Sequence, residues 1–286
     1  MPTQISKLAD VDPRAEIDDD VFIGPFCSVG PDVQLGAGSR LDSHVAMFGH
    51  VRIGKNNRFF PGSVIGGDPQ DLGYTGAPTR VEIGDDNVFR EGVTVNRGAE
   101  KEDGITRVDN NNMFMANSHV AHNCHIFNHV IIANGTQLGG HVHVHDRAVI
   151  SGNSLVHHFA TIGTMAFVSG GCGVRTDVPP YMLTAGMDRC RVMTINLVGM
   201  QRGGIDRAAI EVIKRAHRLL YRELKGLADA RRILSEELRG PFPAELTLLL
   251  DFIEQQQSGK KGRAGEARRD PAKAAAPENN TLRRAA

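Results

Sequence analysis

Apolar residues recur along this chain at every sixth position. Ile5, Val11, Ile17, Ile23, Val29, Leu35, Leu41, Met47, Ile53, Phe59 and Ile65 form one unbroken run. The count resumes at Ile83, Phe89 and Val95 and slips by one residue. It then holds through Val108, Phe114, Val120, Ile126, Ile132, Leu138, Val144, Ile150, Val156, Ile162, Val168 and Val174. A period of six matches neither a helix nor a hairpin meander, and predicts a hexapeptide solenoid, a parallel β-helix.

Two residues before each large position stands a small or β-branched one, as at Cys27, Val33, Ser39, Val45, Ser118, Cys124, Val130, Thr136, Ala148 and Ala160. Alternate side chains of a strand share a face, so each hexad sends one small and one large residue inward and then turns. Glycine often follows the large residue, as in Ile23-Gly24 and Leu138-Gly139, where freedom from a Cβ eases a bend. Three hexads make a coil of 18 residues, and roughly nine coils stack to about 40 Å at the strand spacing of about 4.8 Å.

The repeat stops near Val174, and Asp177-Val178-Pro179-Pro180-Tyr181 marks its exit, because paired prolines cannot continue a ladder. Helical spacing begins at Ile205, with Ile205, Ala209, Ile210, Ile213, Ala216, Leu219 and Leu220 on one stripe. Further helices are expected over 227–238 and 244–256, covering the last coil. Residues 1–180 are therefore the solenoid domain and 181–259 a helical domain. Residues 260–286, with eight Lys or Arg against three Asp or Glu and no periodicity, are expected to be a disordered basic tail. Two segments interrupt the repeat, 67–79 (GDPQDLGYTGAPT) and 97–105 (RGAEKEDGI). Solenoid insertions gather as loops on one face, often the binding face.

Lys plus Arg and Asp plus Glu both number 33, so no basic excess exists to bind nucleic acid. The N-terminal residues have no apolar signal core, and no run of 18 apolar residues offers a membrane span; a cytoplasmic location is expected. Cys27, Cys124 and Cys172 fall on the small inward phase and read as core thiols, with Cys190 outside it.

Nine of the twelve histidines lie between His119 and His158. Inward positions are already filled, so His119, His122, His125, His141, His143, His145 and His158 should point outward or sit at turns. Without a register slip, residues 18 apart stack on successive coils, which puts His122, Gly140 and His158 in one column. An imidazole is a general base near neutral pH, and a glycine N–H one coil away can stabilise an oxyanion. Those parts suffice for direct acyl transfer from a thioester to a hydroxyl. Zinc held by His125 and His143 across a subunit boundary is the competing chemistry.

The segments GGDPQDLGYTGAPTRVEIGDDNVFREGVTVNRG, ANSHVAHNCHI, LGGHV, VHHFATIG and DVPPY resemble the family of UDP-N-acetylglucosamine O-acyltransferases that begin lipid A synthesis, over roughly residues 1–220. The resemblance implies a homotrimer of left-handed β-helices with sites in clefts between neighbours, a coil direction that runs against the usual right-handed crossover. It implies no cofactor, a 3-hydroxyacyl donor on acyl carrier protein, and the 3-position of UDP-N-acetylglucosamine as acceptor. On this resemblance His122 is the general base and Gly140 the oxyanion N–H. His119, His141 and His157 are further site histidines, with His158 beside them. Gln70 and Asp71 belong to the sugar-nucleotide loop, Asn196 and Arg202 lie near nucleotide and donor, and Gly170 stands where residue size limits acyl length. The chain departs from the family pattern at Gly73, usually lysine, Asn123, usually aspartate, and His158, often glutamine. Val198 and Gly203 replace a glutamate and an arginine. Other readings are a hexapeptide acyltransferase with another acceptor, such as a 3-amino sugar nucleotide or a small molecule, a γ-type carbonic anhydrase, and an inactive scaffold. The later N-acyltransferase of the same pathway carries a domain before its repeats, whereas here the count begins at Ile5.

Overall fold

The computed structural model describes residues 2–188 and 190–268. Short strands of mostly two residues wind into three parallel sheets, and each strand pairs with the strand three places later in the chain. The first face runs from Gln4–Ile5 to Phe167–Val168, the second from Asp10–Val11 to Gly173–Val174, and the third from Glu16–Ile17 to Thr161–Ile162. Paired residues such as His125 and His143, His119 and Gln137, or Ile132 and Ile150 are 18 apart, the predicted coil. The two insertions appear as pairings of 30 and 25 residues, Arg58 with Val88 and Val88 with Met113, an excess of 12 and 7.

Inside the prism, the phase-six residues are buried almost without exception. Phe59, Phe89 and Phe114 stack face to face at 4.8 and 4.7 Å between ring centroids, all fully buried. Beside them the small inward phase holds Asn57, Asn87 and Asn112, which the apolar count does not anticipate. These amides form a ladder up the core. Asn57 Oδ1 accepts from the Asn87 backbone and side chain, both at 3.0 Å. Asn87 Oδ1 accepts from Asn112 N–H at 2.9 Å, and Asn112 Oδ1 from Val130 N–H at 2.8 Å. A buried amide is tolerated because its partner repeats on the next coil.

The corners differ from the expected glycine bend. The left-handed residue is the third after the large one, not the next, and it is usually not glycine: Asp20, Asn56, Asn111, Asn117, Asn123, His129, His141 and Asn153 all have φ between 55° and 60°. Asn, Asp and His are the side chains most at ease in that conformation, and Phe26, Arg147, Phe159 and Met165 adopt it at the same corner position. Glycine directly after the large residue answers a different need, close approach between coils. A Cβ on Gly24 would come within 2.5 Å of the Asp42 carbonyl oxygen.

Beyond the last coil, strands Met182–Ala185 and Arg191–Ile195 add an antiparallel pair to the first sheet and cover its end. Four helices follow: α1 (Leu197–Arg202), α2 (Arg207–His217, continuing as a π-helical turn to Arg222), α3 (Leu227–Leu238) and α4 (Ala244–Ser258). The helices build a second core on Met165, Tyr181 and Met182 from Met200, Ile210, Ile213, Leu219, Leu234, Leu246 and Leu250. Helix α1 and the strand pair have no periodic signature; α1 is only six residues long.

The expectation of disorder from Lys260 is corrected over 260–268, while 269–286 lie outside the described residues. The segment folds back through polar contacts, which an apolar count cannot register. Arg263 Nη1 donates to the Arg175 carbonyl at 2.6 Å, and buried Arg263 and Glu266 pair at 2.8 Å. Asp177 Oδ1 and Oδ2 accept from Thr161 and Ala264 N–H, each at 2.7 Å; burial pushes this carboxyl up to about 6 despite those bonds.

Phe89→Ala is expected to open a cavity in the middle of the phenylalanine stack and lower unfolding stability by about 3–5 kcal/mol. Urea denaturation of the two proteins checks this; a loss under about 1 kcal/mol would show that the stack does not act as core.

Candidate active site

Residues Val64–Gly67 and Thr94–Asn96 end strands of the second face, and Arg80–Ile83 and Ile105–Val108 begin strands of the third. Both insertions therefore leave the prism at one corner, between the second and third faces. Val120, Leu138 and Val156 also end second-face strands, so His122, Gly140 and His158 stand on that same corner in three successive coils. The stacking is direct. His141 N–H donates to the His122 carbonyl and Phe159 N–H to the Gly140 carbonyl, both at 3.0 Å.

His122 is buried, and its ring lies against Gly140: a Cβ there would be 2.5 Å from Cε1 and 2.6 Å from Nε2. Only glycine lets the backbone meet the ring. Gly140 N–H donates no hydrogen bond among the described residues, since the ladder uses its neighbours Gly139 and His141. The tautomer follows from Asn123. Its Nδ2 donates to the carbonyls of Lys101 at 2.8 Å and Ala99 at 3.3 Å, which turns Oδ1 toward His122 Nδ1 at 2.9 Å. An amide oxygen only accepts, so Nδ1 carries the hydrogen and Nε2 keeps its lone pair beside Gly140. Burial draws the His122 imidazole below its ordinary range; the charges of His141 and Lys101 add to this, while the Asn123 bond and Asp71 oppose it. The ring is neutral at pH 7, able to take a proton next to an unused N–H donor.

Around this pair stand the other histidines. His141 is buried edge-on to His122 at 5.2 Å and stacks on Phe159 at 4.3 Å. Its Nδ1 lies 3.3 Å from Glu102 Oε2 but out of line, so neither ring nitrogen has a hydrogen-bond partner among the described residues. His119 Nδ1 meets Thr94 Oγ1 at 2.7 Å, and burial lowers its pKa as well, followed by the charge of His122. Asp71 comes up from the first insertion: Oδ1 accepts from Gly73 N–H at 2.8 Å, and Oδ2 pairs with Lys101. His157 Nδ1 turns to the His158 carbonyl at 2.9 Å, and His158 is exposed, with Nε2 3.9 Å from Glu266. Gln70 is exposed on the loop beside Asp71.

Comparison with known proteins identifies the family. Residues 177–262 match the family model described as UDP N-acetylglucosamine O-acyltransferase, domain 2. A protein of Thermodesulfovibrio yellowstonii named acyl-[acyl-carrier-protein]–UDP-N-acetylglucosamine O-acyltransferase is 41% identical over 256 residues, 90% of this chain and 98% of its own. One of the same name from Stenotrophomonas maltophilia is 42% identical over 254 residues, covering 89% and 96%. The chain belongs to this O-acyltransferase family. Among solved structures, LpxA of Acinetobacter baumannii superposes with a TM-score of 0.83 at 36% identity, over 88% of this chain and 96% of that one. An Arabidopsis UDP-N-acetylglucosamine acyltransferase gives 0.77 at 30%, over 91% and 99%. As an O-acyltransferase of this family, the chain is a left-handed parallel β-helix with a helical C-terminal part.

Three of the residues singled out for this O-acyltransferase lie away from the histidine corner. Gly170 follows Val168, which ends a first-face strand, so it stands at the corner between first and second faces. A Cβ there would touch Gly152 O at an ordinary 3.4 Å, leaving room for a side chain. Asn196 is buried and caps α1, accepting from Gly199 N–H at 3.0 Å and donating to the Met165 carbonyl at 2.8 Å. Arg202 ends α1, exposed. His125, one of the pair considered for zinc, points Nε2 at Asp109, 3.1 Å away, and its ring is 6.1 Å from His143. Lys101, Glu102, Thr94 and Phe159 adjoin the site without having been singled out; their only signal is membership of an insertion or of a hexad neighbouring a histidine.

Burial of His122 predicts an imidazole titration midpoint below about 6.5 in the folded protein. Histidine-selective NMR over a pH series, assigned with His122→Gln, checks it; a midpoint above 7 would contradict the burial argument.

Proposed function

We propose that the protein transfers a 3-hydroxyacyl group from acyl carrier protein to the 3-hydroxyl of UDP-N-acetylglucosamine. What carries this reading is the packing of the His122 ring over Gly140, in the space a Cβ would take 2.6 Å from Nε2, in a chain of this family. The sugar hydroxyl oxygen attacks the thioester carbonyl carbon while Nε2 takes the hydroxyl proton. Negative charge gathering on the carbonyl oxygen is met by Gly140 N–H, which is oriented before the reaction starts. The tetrahedral intermediate collapses, the C–S bond breaks, and the imidazolium returns its proton to the departing thiolate. No covalent enzyme intermediate is needed.

Asn123 replaces the usual aspartate in this scheme. It orients the ring but brings no negative charge, so the imidazolium is stabilised from further off, by Asp71. A homotrimer completes the pocket in this reading: Gly170 stands on another corner of the prism and Asn196 and Arg202 on α1 beyond it, and a neighbouring copy brings such residues to His122 and excludes water from the reaction. Gly170, which has no side chain, then leaves length for a long acyl chain. The Gly73 and Gly203 departures remove positive charge from the nucleotide end while Val198 removes a negative one, and a 3-amino sugar nucleotide is the acceptor to compare.

His122→Ala is expected to lower kcat with hydroxyacyl carrier protein and UDP-N-acetylglucosamine by about 10²–10⁴-fold, the usual worth of a general base. Steady-state assay of the pair decides. Equal turnover would remove His122 from the mechanism, and no turnover by the unaltered protein would point to another acceptor or to a scaffold.

A further inference from the structure

Four consecutive residues of the second insertion tie it to the histidine corner and to the first insertion. Ala99 N–H donates to Asn123 Oδ1 at 2.8 Å and its carbonyl accepts from Asn123 Nδ2 at 3.3 Å. Glu100 accepts from Thr75 N–H at 3.0 Å, the Thr75 hydroxyl at 2.7 Å and Ala77 N–H at 3.0 Å, which ties the two insertions together. Lys101 rests its carbonyl on Asn123 Nδ2 at 2.8 Å and its ammonium on Asp71. Glu102 reaches His141. One amide, Asn123, therefore holds both the imidazole and the backbone from which Lys101 projects.

The pair made by Lys101 is unequal in a useful way. The Lys101 side chain is half exposed, 53%, and that of Asp71 only 14%. Burial alone would raise the Asp71 pKa, but Lys101 and Gly73 N–H outweigh it and hold the carboxyl below its ordinary range. Each carboxylate oxygen then has one donor and further lone-pair capacity for hydroxyl groups. Arg97, the other cation of the two insertions, is committed elsewhere, to the Gly66 carbonyl at 2.9 Å, the Tyr74 hydroxyl at 3.1 Å and Asp68. Gly73 has no side chain to offer, so Lys101 is what fixes Asp71.

We propose that Lys101 is a positioning residue: by fixing the Asp71 carboxylate in one orientation it sets affinity for the sugar of the acceptor, and Asn123 ties that setting to the base. This rests on the acceptor reading above. A surface ion pair would contribute little to stability, so the effect should appear in substrate binding and not in folding.

The test is a set of variants, Lys101→Met, Lys101→Arg, Asp71→Asn and the double variant Lys101→Met/Asp71→Asn, each assayed for KM and kcat toward UDP-N-acetylglucosamine. Calorimetric binding of UDP-N-acetylglucosamine to each protein gives a readout apart from turnover. Lys101→Met should raise KM and Kd about tenfold and lower kcat less than KM rises, and Lys101→Arg should recover most of the loss. Added to Asp71→Asn, the lysine change should cost almost nothing, because its effect passes through the carboxylate. If the unaltered protein binds and turns over the substrate while Lys101→Met binds as well, or if the two losses multiply in the double variant, this assignment is overturned alone. An unaltered protein that neither binds nor turns over UDP-N-acetylglucosamine overturns the acceptor reading and this assignment with it.

Discussion

A ladder of backbone hydrogen bonds between coils, repeating every 18 residues, is the constraint from which the rest of the structure follows. Each coil places its corner residues about 4.8 Å above the last, so whatever chemistry a corner carries is extended by the next turn of the chain. Along one corner that sequence runs first insertion, second insertion, His122, Gly140, His158. Neither a flexible loop nor a hinge positions the imidazole against the glycine; two bonded coils do, with His141 N–H on the His122 carbonyl at 3.0 Å. A rigid ladder suits a reaction that asks for one fixed base and one fixed donor.

Placing a neutral base beside buried groups has an electrostatic cost, and the corner meets it with neutral hydrogen bonds. Burial keeps His122 unprotonated, and Asn123 settles which nitrogen is free. A carboxylate at position 123 would face the carbonyls of Ala99 and Lys101, oxygen against oxygen. The asparagine instead donates to both while accepting from the imidazole. The cost is a less stabilised imidazolium, and the gain is an insertion held shut over the site.

Much of this was legible in the sequence because a solenoid turns arithmetic into geometry. The coil length, the inward phase, the exit at the paired prolines and the column of 122, 140 and 158 all come from counting, since no residue is gained or lost from Val108 to Val174. Counting fails where period and polarity part. The core amides Asn57, Asn87 and Asn112 are linked from coil to coil by hydrogen bonds, a pairing visible only once the coils are stacked. Within the insertions there is no period, so the approach of Lys101 to Asp71 and of Glu102 to His141 has no sequence signal. Helix α1 is too short for a stripe, and Arg263 with Glu266 holds down a segment whose composition reads as solvent-exposed. Likewise Gly170 and Asn196 share a resemblance with His122 but not a corner, which sequence order alone does not separate.

The central claim is that one corner of the prism presents a proton acceptor and an oxyanion donor to the same carbonyl group. A crystal structure with the O-acylated sugar nucleotide bound tests it most directly. The ester carbonyl oxygen should lie about 3 Å from Gly140 N, with the esterified 3-oxygen within about 3.2 Å of His122 Nε2. An acyl carbonyl pointing away from Gly140, or a sugar seated on another face of the prism, would contradict it.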